Sequence, residues 1–187
     1  MKAVLLSIQP KWCELIASGK KTVEIRKTKP KIQTPFKCYI YCSKGKRRLL
    51  DIMKDGDENF GEIYHGKPVF ITTPESCYAI GNGYEQKVIG EFICDNIFNC
   101  RDINMDCTCL TVAEWLKYTK GHKGIVWGWH ISDLVIYDKP KDLREFHMVG
   151  YTETKNGCSY GWTDEEETSW QVKRPPQSWC YVEEVSE

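Results

Sequence analysis

The nonapeptide SGKKTVEIR, residues 18–26, determines how the rest of this 187-residue chain can be interpreted. Its second half alternates as a β-strand does. In such a strand Val23 and Ile25 share one face, and Glu24 and Arg26 share the other. Opposite charges beside two β-branched residues predict a polar site that is built on a buried element.

The residues before this stretch predict a strand and a short helix. Lys2–Ile8 is an apolar run that reads as a first, central strand. Pro10 suits the first turn of a helix, where its missing N–H is not needed. Apolar side chains then recur at helical spacing, at Trp12, Leu15 and Ile16. Gly19 supplies the left-handed stop, so we expect strand, helix (10–18) and strand within residues 2–27.

Lys21 has two possible placements. As a strand residue it would point with Val23 and Ile25, away from Glu24. If it lies in the turn after Gly19, its long side chain can reach Glu24 and Arg26. We predict the second placement, because the helix ends just before it. Lys21, Glu24 and Arg26 would then line one solvent-reachable cleft, and Lys21→Ala or Glu24→Ala should remove ligand binding with little loss of stability.

The spacing Gly19-x-Lys21-x-x-Glu24-x-Arg26 resembles the signature of ASCH domains, a branch of the PUA-like superfamily that is associated with RNA and modified nucleosides. The resemblance covers about residues 1–140 and includes the terminal Trp129-His130-Ile131 strand. It implies a mainly β (α+β) fold, a small PUA-like barrel with short plugging helices. The short strands and helices of the chain favour the same architecture.

The resemblance also implies activities. Some small ASCH proteins hydrolyse the amide of N4-acylated cytidine with a Lys, a Thr and a Glu, and others are ribonucleases or presumed RNA binders. Lys21 stands at the position of that lysine, but Glu24 stands where those enzymes carry the threonine. Thr22 is the nearest hydroxyl and is offset by two positions.

Several later elements follow from local patterns. Phe36–Cys42 alternates as a half-buried strand, and Lys87–Phe98 reads as a strand with Gly90 at a bulge or close approach. Thr111 and Glu114 form a capping box that opens a helix through Tyr118. Val126–Tyr137 reads as one long strand that is ended by Pro140.

The remaining segments exceed a minimal ASCH domain. Residues 49–86 are predicted as an insertion, with a hairpin as one option. Residues 141–187 are predicted as a C-terminal extension that packs on the same domain. It contains a helical turn over 142–146 and a last strand at Trp179–Val182.

Charge is distributed unevenly although the formal net charge is zero. Residues 1–48 carry 13 Lys or Arg and only two acids, a net +11, and the rest of the chain carries −11. Such a division is typical of a face for phosphates. Cancellation between basic and acidic segments on the folded surface is the other interpretation. The early apolar run is too short for a signal peptide or a membrane span, so we expect a cytoplasmic protein without a membrane partner.

The ten cysteines do not indicate a disulfide framework or a metal site. The chain has no Cys-x-x-Cys pair, which a structural zinc site would usually show. Free cysteine also behaves as a small buried hydrophobe. We therefore predict neither a metal nor a cofactor.

The predicted site has two parts. The residues expected to act chemically are Lys21, Glu24 and Glu91, the last because it lies beside Gly90 in the strongest later strand. The residues expected to hold substrate are Arg26, Thr22, Tyr41 and Trp129. The prediction is a binding module for RNA or a modified nucleotide. The alternatives are an amidohydrolase on N4-acylated cytidine or a ribonuclease that uses the same cleft, and a protein-interaction adaptor that uses the C-terminal extension.

Overall fold

The structure, a computed structural model, describes residues 1–45, 47–53, 69–74, 86–100, 105–151 and 167–185. These residues are mainly β, with two α-helices and two 3₁₀ turns at Met105–Thr108 and Leu143–Glu145. In chain order the elements are β1 (Lys2–Ile8), α1 (Pro10–Ala17), β2 (Val23–Arg26), β3 (Phe36–Cys42), β4 (Arg47–Met53), β5 (Val69–Pro74), β6 (Lys87–Cys94), β7 (Ile97–Asn99), α2 (Val112–Thr119), β8 (Trp127–His130), β9 (Ser132–Lys141), β10 (His147–Tyr151), β11 (Glu167–Gln171) and β12 (Trp179–Glu183).

The strands form three sheets. The largest has the order β11-β10-β12-β1-β3-β6-β9, with β1 and β3 parallel and its other pairs antiparallel. A smaller sheet has the order β2-β8-β7, and β4 pairs with β5 in an antiparallel ribbon. The predicted barrel is not confirmed, because β11 and β9 stand at opposite ends of the largest sheet among the described residues.

Alternation along β1 and β3 gives the central sheet two apolar faces. Val4 and Ile40 belong to a cluster that packs under α1 and around Trp129. Leu5 and Tyr39 belong to a second cluster, which the C-terminal part of the chain covers with Phe146 and Val172, among others. Because neighbouring residues of a strand point to opposite faces, the two clusters lie on opposite sides of one sheet.

Two predicted strands are each divided in the structure. The strand predicted at 87–98 is β6 and β7, separated by the exposed Asp95 and Asn96. The strand predicted at 126–137 is β8 and β9, separated at Ile131, and β9 continues through Pro140. The division has a topological cause, because β8 pairs with β2 in the small sheet and β9 pairs with β6 in the large one.

Gly90 is a close approach, as predicted. A Cβ at this position would lie 2.3 Å from the carbonyl oxygen of Val135 on β9, and the β3–β6 register shifts beside it, between Ile40 and Tyr41. Only glycine permits that approach without displacing the neighbouring strand.

The C-terminal residues contribute a strand next to the centre of the large sheet. In β12, Tyr181 is the antiparallel partner of Val4, and β10 flanks β12 on its other side. The division of the chain at residue 140 stays a prediction. Most of the predicted insertion, residues 49–86, lies outside the described residues. In the part that is described, β4 pairs with β5. No helix of the described part of the chain is long and apolar enough to cross a membrane.

Candidate functional site

The turn between α1 and β2 directs Lys21 toward its strand neighbours. Gly19 has a positive φ of 69°, and the backbone N–H of Lys21 donates to Leu15 O at 2.9 Å. The β-strand itself begins only at Val23. Lys21 therefore lies in the turn, where the alternation of the strand does not fix the direction of its side chain, and it reaches back over the start of β2. This is the second of the two placements considered for Lys21.

Glu24 lies between two cations. Its Oε2 is 3.4 Å from Lys21 Nζ, and its Oε1 is 3.0 Å from Arg26 Nη2. The three side chains are only 2–9% exposed. We call this group the cleft triad, and it carries a net charge of +1.

Lys21 is held by backbone carbonyls in addition to Glu24. Nζ donates to Val23 O at 2.7 Å and to Thr108 O at 2.8 Å. The segment around Thr108 is fixed to the same turn, since Thr22 N–H donates to Cys107 O at 3.1 Å and Cys109 Sγ to Lys20 O at 3.3 Å. The carbonyls and the carboxylate together match the three donors of an ammonium group.

Arg26 connects the cleft triad to both ends of the chain. Nη2 donates to Ser7 O at 2.9 Å, and Nη1 lies 3.2 Å from Ser178 O and 3.3 Å from Ser178 Oγ. Ser7 is itself joined to the C-terminal segment, since its Oγ donates to Pro176 O at 2.6 Å. Nε of Arg26 is buried and has no hydrogen-bond partner among the described residues.

A half-open cavity of about 340 Å³ lies beside the cleft triad. Its walls come from four parts of the fold: the ends of β1 and β3, β2 with the turn before it, both helices, and the segment before β12. The lining residues are Ser7, Ile8, Gln9, Trp12, Lys21, Glu24, Ile25, Arg26, Ser43, Leu110, Tyr118, Pro175, Pro176 and Gln177. The cavity therefore combines a charged floor with aromatic, proline and amide walls.

Two aromatic rings in the wall contact cations. The Trp12 ring lies 5.3 Å from Lys21 Nζ and 4.5 Å from Lys11 Nζ. The hydroxyl of Tyr118 donates to Ile25 O at 3.2 Å, and burial raises the pKa of that phenol above its usual value. Both rings are partly exposed, so a planar ligand has two aromatic surfaces within reach.

The helices on either side of the cavity are joined by an exposed ion pair. Lys11 Nζ of α1 lies 2.6 Å from Glu114 Oε1 of α2. Glu114 also completes the predicted capping box with Thr111. The hydrogen bond from Lys11, followed by those from Thr111, lowers the pKa of Glu114 to about 2.

Glu91 lies on the other side of the large sheet. It is the register partner of Tyr39, and directly opposed residues of paired strands project from the same face. Its carboxylate binds Lys37 Nζ at 2.9 Å and accepts a hydrogen bond from the Tyr137 hydroxyl. The predicted fourth member of the cleft therefore belongs to a separate polar cluster, because it points to the face opposite the one that carries α1.

The three other predicted binding residues do not line the cavity. Tyr41 packs with Tyr39 in the cluster on the Glu91 side. Trp129 is fully buried against Phe36 and Trp179, at ring distances of 5.9 and 6.0 Å. Thr22 is exposed just before β2, where its backbone pairs with Cys107 and Ile131.

Burial of the cleft triad corrects the expectation that its substitution leaves stability nearly unchanged. Lys21 is 2% exposed, and Glu24 and Arg26 are each 7% exposed. Removing one member of a buried ion pair leaves an uncompensated charge, which typically costs several kcal/mol. The Ala variants at Lys21 and Glu24 would therefore test folding before they test binding.

Several lining residues were not identified from the sequence. Trp12 was assigned with the apolar face of α1, and its helical spacing gives no sign that one edge reaches a cavity. Pro175, Pro176 and Gln177 lie some 150 residues from Arg26 and reach it only because β12 pairs with β1. His130 does not line the cavity, and its Nδ1 lies 2.7 Å from Asp95 Oδ1.

Metal ligation has no geometric support in the described part of the chain, where no three His, Cys, Asp or Glu side chains converge. Four buried cysteines of the cluster under α1 are free thiols that lie in two contacting pairs. Burial is the main cause that raises the pKa of Cys13, beside Cys42, and of Cys38, beside Cys94.

Comparison with known proteins gives one family and one fold. Residues 6–89 match the model of the ASCH domain. The crystal structure of ASCH from Zymomonas mobilis is 15% identical and superposes with a TM-score of 0.55, over 97% of this chain and 87% of that one. A point mutant of the same Zymomonas mobilis protein gives a TM-score of 0.56, with 98% and 91% covered. No curated protein matches the sequence.

The family match includes Gly19, Lys21, Glu24 and Arg26, the residues that carry the sequence resemblance. The structural match at this low identity concerns the fold. Together they confirm the resemblance, because residues 6–89 match the ASCH domain and the fold is that of a solved ASCH protein.

Proposed function

We propose that this protein binds RNA or a modified nucleotide, and that one nucleotide unit occupies the cavity beside the cleft triad. The observation that carries the proposal is the pair of cations, Lys21 and Arg26, buried against a single carboxylate in the wall of a 340 Å³ cavity. The net +1 favours an anionic ligand, and a nucleotide phosphate is the anion that the ASCH family suggests.

The walls of the cavity support a nucleotide over a simple anion. Trp12 and Tyr118 offer aromatic surfaces on which a base can stack. Gln9 and Gln177 are exposed at the wall and present both donors and acceptors to the edge of a base. The apolar contribution of Leu110 and Pro176 suits the face of a ring more than a solvated ion.

The binding role is favoured over hydrolysis by how the side chains are engaged. Lys21 donates to two carbonyls and its Nζ lies 3.4 Å from the Glu24 carboxylate, and an ammonium group held in this way has no lone pair with which to take a proton from a nucleophile. The threonine of the acylcytidine hydrolases is replaced by Glu24, whose oxygens each contact a cation. Release of acetate from N4-acetylcytidine would assign the cavity to the hydrolase alternative.

The test uses a change at the cavity that leaves the buried triad intact. Gln9→Glu adds one negative charge at an exposed lining position. A unit charge about 8 Å from a phosphate costs about 2 kcal/mol at an effective dielectric constant of about 20. We therefore expect cytidine 5′-monophosphate to bind the variant at least about tenfold more weakly, measured by isothermal titration calorimetry at 0.1 M salt.

Lys139→Gln is the matched control, because it makes the same change in net charge at an exposed position on β9. This variant should bind cytidine 5′-monophosphate as the parent does. Equal weakening in both variants would reduce the effect to net charge, and no weakening in Gln9→Glu would remove the nucleotide from this cavity.

A further inference from the structure

The rim of the cavity carries exposed cations that come from two distant parts of the chain. The loop after β2 supplies one group and the segment before β12 supplies the other. We call them the basic rim: Lys27, Lys29, Lys31, Lys173 and Arg174, all exposed. No acidic residue occurs in 27–35 or in 172–179.

Four hydrogen bonds hold the two parts of the basic rim side by side. Trp179 Nε1 donates to Thr28 Oγ1 at 2.9 Å, and Lys31 N–H donates to the Tyr181 hydroxyl oxygen at 2.7 Å. Arg26, at the base of the loop, binds Ser178. The loop is therefore fixed along the C-terminal segment, and their positive charges lie on one side of the molecule.

The basic rim meets the cavity at both of its parts. Lys27 Nζ lies 5.1 Å from the ring of Tyr118, which lines the cavity. Arg174 directly precedes Pro175, which also lines it. The cleft triad and the basic rim thus form a continuous positive surface that runs from a nucleotide-sized cavity onto the exposed face.

The charges of the basic rim are not neutralised within the described residues. None of its five members forms an ion pair there, whereas Lys11 on the other side of the cavity is paired with Glu114. Lys29 instead lies 4.1 Å from the ring of Trp127. Trp127, Trp179 and Tyr181 are half-buried beside these cations, and such interleaving of cations and aromatic rings is typical of surfaces that hold single strands.

We propose that the basic rim binds the phosphate backbone of single-stranded RNA next to the nucleotide in the cavity. The inference rests on the proposed function for its choice of RNA and extends it from one nucleotide unit to a strand. Because phosphates carry no base identity, the basic rim adds affinity and positions the strand without selecting its sequence.

The test removes three charges from the basic rim. Lys29→Gln, Lys173→Gln and Arg174→Gln are combined in one variant. Its control combines Lys120→Gln, Lys123→Gln and Lys139→Gln, three exposed positions outside the two rim segments that make the same change in net charge. Thermal melting checks that both variants remain folded. The probe is a fluorescently labelled single-stranded RNA of 12 nucleotides and mixed sequence, followed by anisotropy from 0.05 to 1 M salt.

Each phosphate contact contributes a log–log salt slope of about −0.7 on single strands. The rim variant should therefore show a slope shallower by about 2 and an affinity about 100-fold lower at 0.1 M salt. The control variant should differ from the parent by less than about threefold, since screening at that salt weakens distant charges. A rim slope equal to that of the parent, or equal losses in the two variants, would overturn the basic rim as an RNA surface.

A second probe separates this inference from the proposed function. Cytidine 5′-monophosphate occupies the cavity alone, so the rim variant should lose much less affinity for it than for the RNA. If neither the parent nor Gln9→Glu binds that nucleotide while the rim variant still loses RNA affinity, the cavity assignment fails and the basic rim stands. If the rim variant loses the mononucleotide and the RNA equally, the basic rim is not a separate surface.

Discussion

The two Lys–Glu clusters of this protein use the same chemistry on opposite sides of one sheet. The cleft triad places Glu24 between Lys21 and Arg26 in the wall of a cavity. The second cluster places Glu91 between Lys37 and Tyr137, and its carboxylate also raises the pKa of Lys37. Only the first is nearly sealed from water, since the side chains of Lys37 and Glu91 are 19% and 15% exposed.

The difference shows that charge pairing does not identify a site. The Glu91 cluster fastens the C-terminal segment, because Lys37 also lies 3.7 Å from Glu184 and the Tyr39 hydroxyl accepts a hydrogen bond from Val185 N–H. The cleft triad contacts the C-terminal segment too, through Ser178, but it adds buried cations beside a space that a ligand can enter. We infer a structural role for the Glu91 cluster and propose a binding role for the cleft triad.

The largest expected effect is on the stability of the cleft. Glu24→Gln keeps the shape of the side chain but turns an amide NH₂ toward one of the two buried cations. Lys21 and Arg26 then lie close together without a negative charge between them. We expect the free energy of unfolding to fall by about 3–5 kcal/mol, measured by urea denaturation. A loss below about 1 kcal/mol would mean that water reaches the cleft triad freely.

The matching substitution on the other face should have a smaller effect. Glu91→Gln retains a carbonyl acceptor for Tyr137 and loses the charge opposite Lys37, which is partly solvated. We expect a loss of about 1–2 kcal/mol in the same urea measurement. Cytidine 5′-monophosphate should bind this variant with unchanged affinity. Weaker binding would mean that the Glu91 cluster also takes part in nucleotide binding.

The smallest effect concerns the exposed link between the two helices at the cavity. The pKa of Glu114 is lowered from its ordinary value of 4.5 to about 2. Its contribution to the free energy of unfolding is therefore complete above about pH 4.5 and is lost as the pH falls from about 4.5 to about 2. Glu114→Gln should lower the free energy of unfolding at pH 7 by about 1 kcal/mol or less, as loss of part of a helix cap does. The stability of the variant should also fall less steeply with decreasing pH than that of the parent in this range. Parallel pH profiles would contradict a stabilising role for the Lys11–Glu114 ion pair.

Local signals were sufficient for most of the individual elements. β1 and β3 begin and end where their apolar patterns predict, and the capping box at Thr111 opens α2. The patterns failed where the chain changes sheets. Val126–Tyr137 reads as one strand because its residues suit a strand throughout, and only the separate partners of β8 and β9 explain the break at Ile131.

The placement of side chains in the candidate site was predictable only where the residues are close in sequence. Lys21, Glu24 and Arg26 lie within six residues, and the helix stop at Gly19 was enough to infer that their side chains meet. Glu91 shows the limit, because the face on which a distant strand residue projects depends on register with β3, which no local pattern records. Pro175–Gln177 and the cations before them reach the cavity only through the pairing of β12 with β1.

The most direct test of the cavity against the second cluster is a titration of ¹⁵N-labelled protein with cytidine 5′-monophosphate, followed by amide and indole chemical shifts. We predict concentration-dependent shifts at the Trp12 indole and at the amides of Gln9, Ser43 and Gln177. Lys37, Glu91 and Tyr137 should not shift. Shifts confined to the Glu91 side of the sheet, or no shift at the cavity at millimolar ligand, would contradict the assignment of nucleotide binding to the cleft triad.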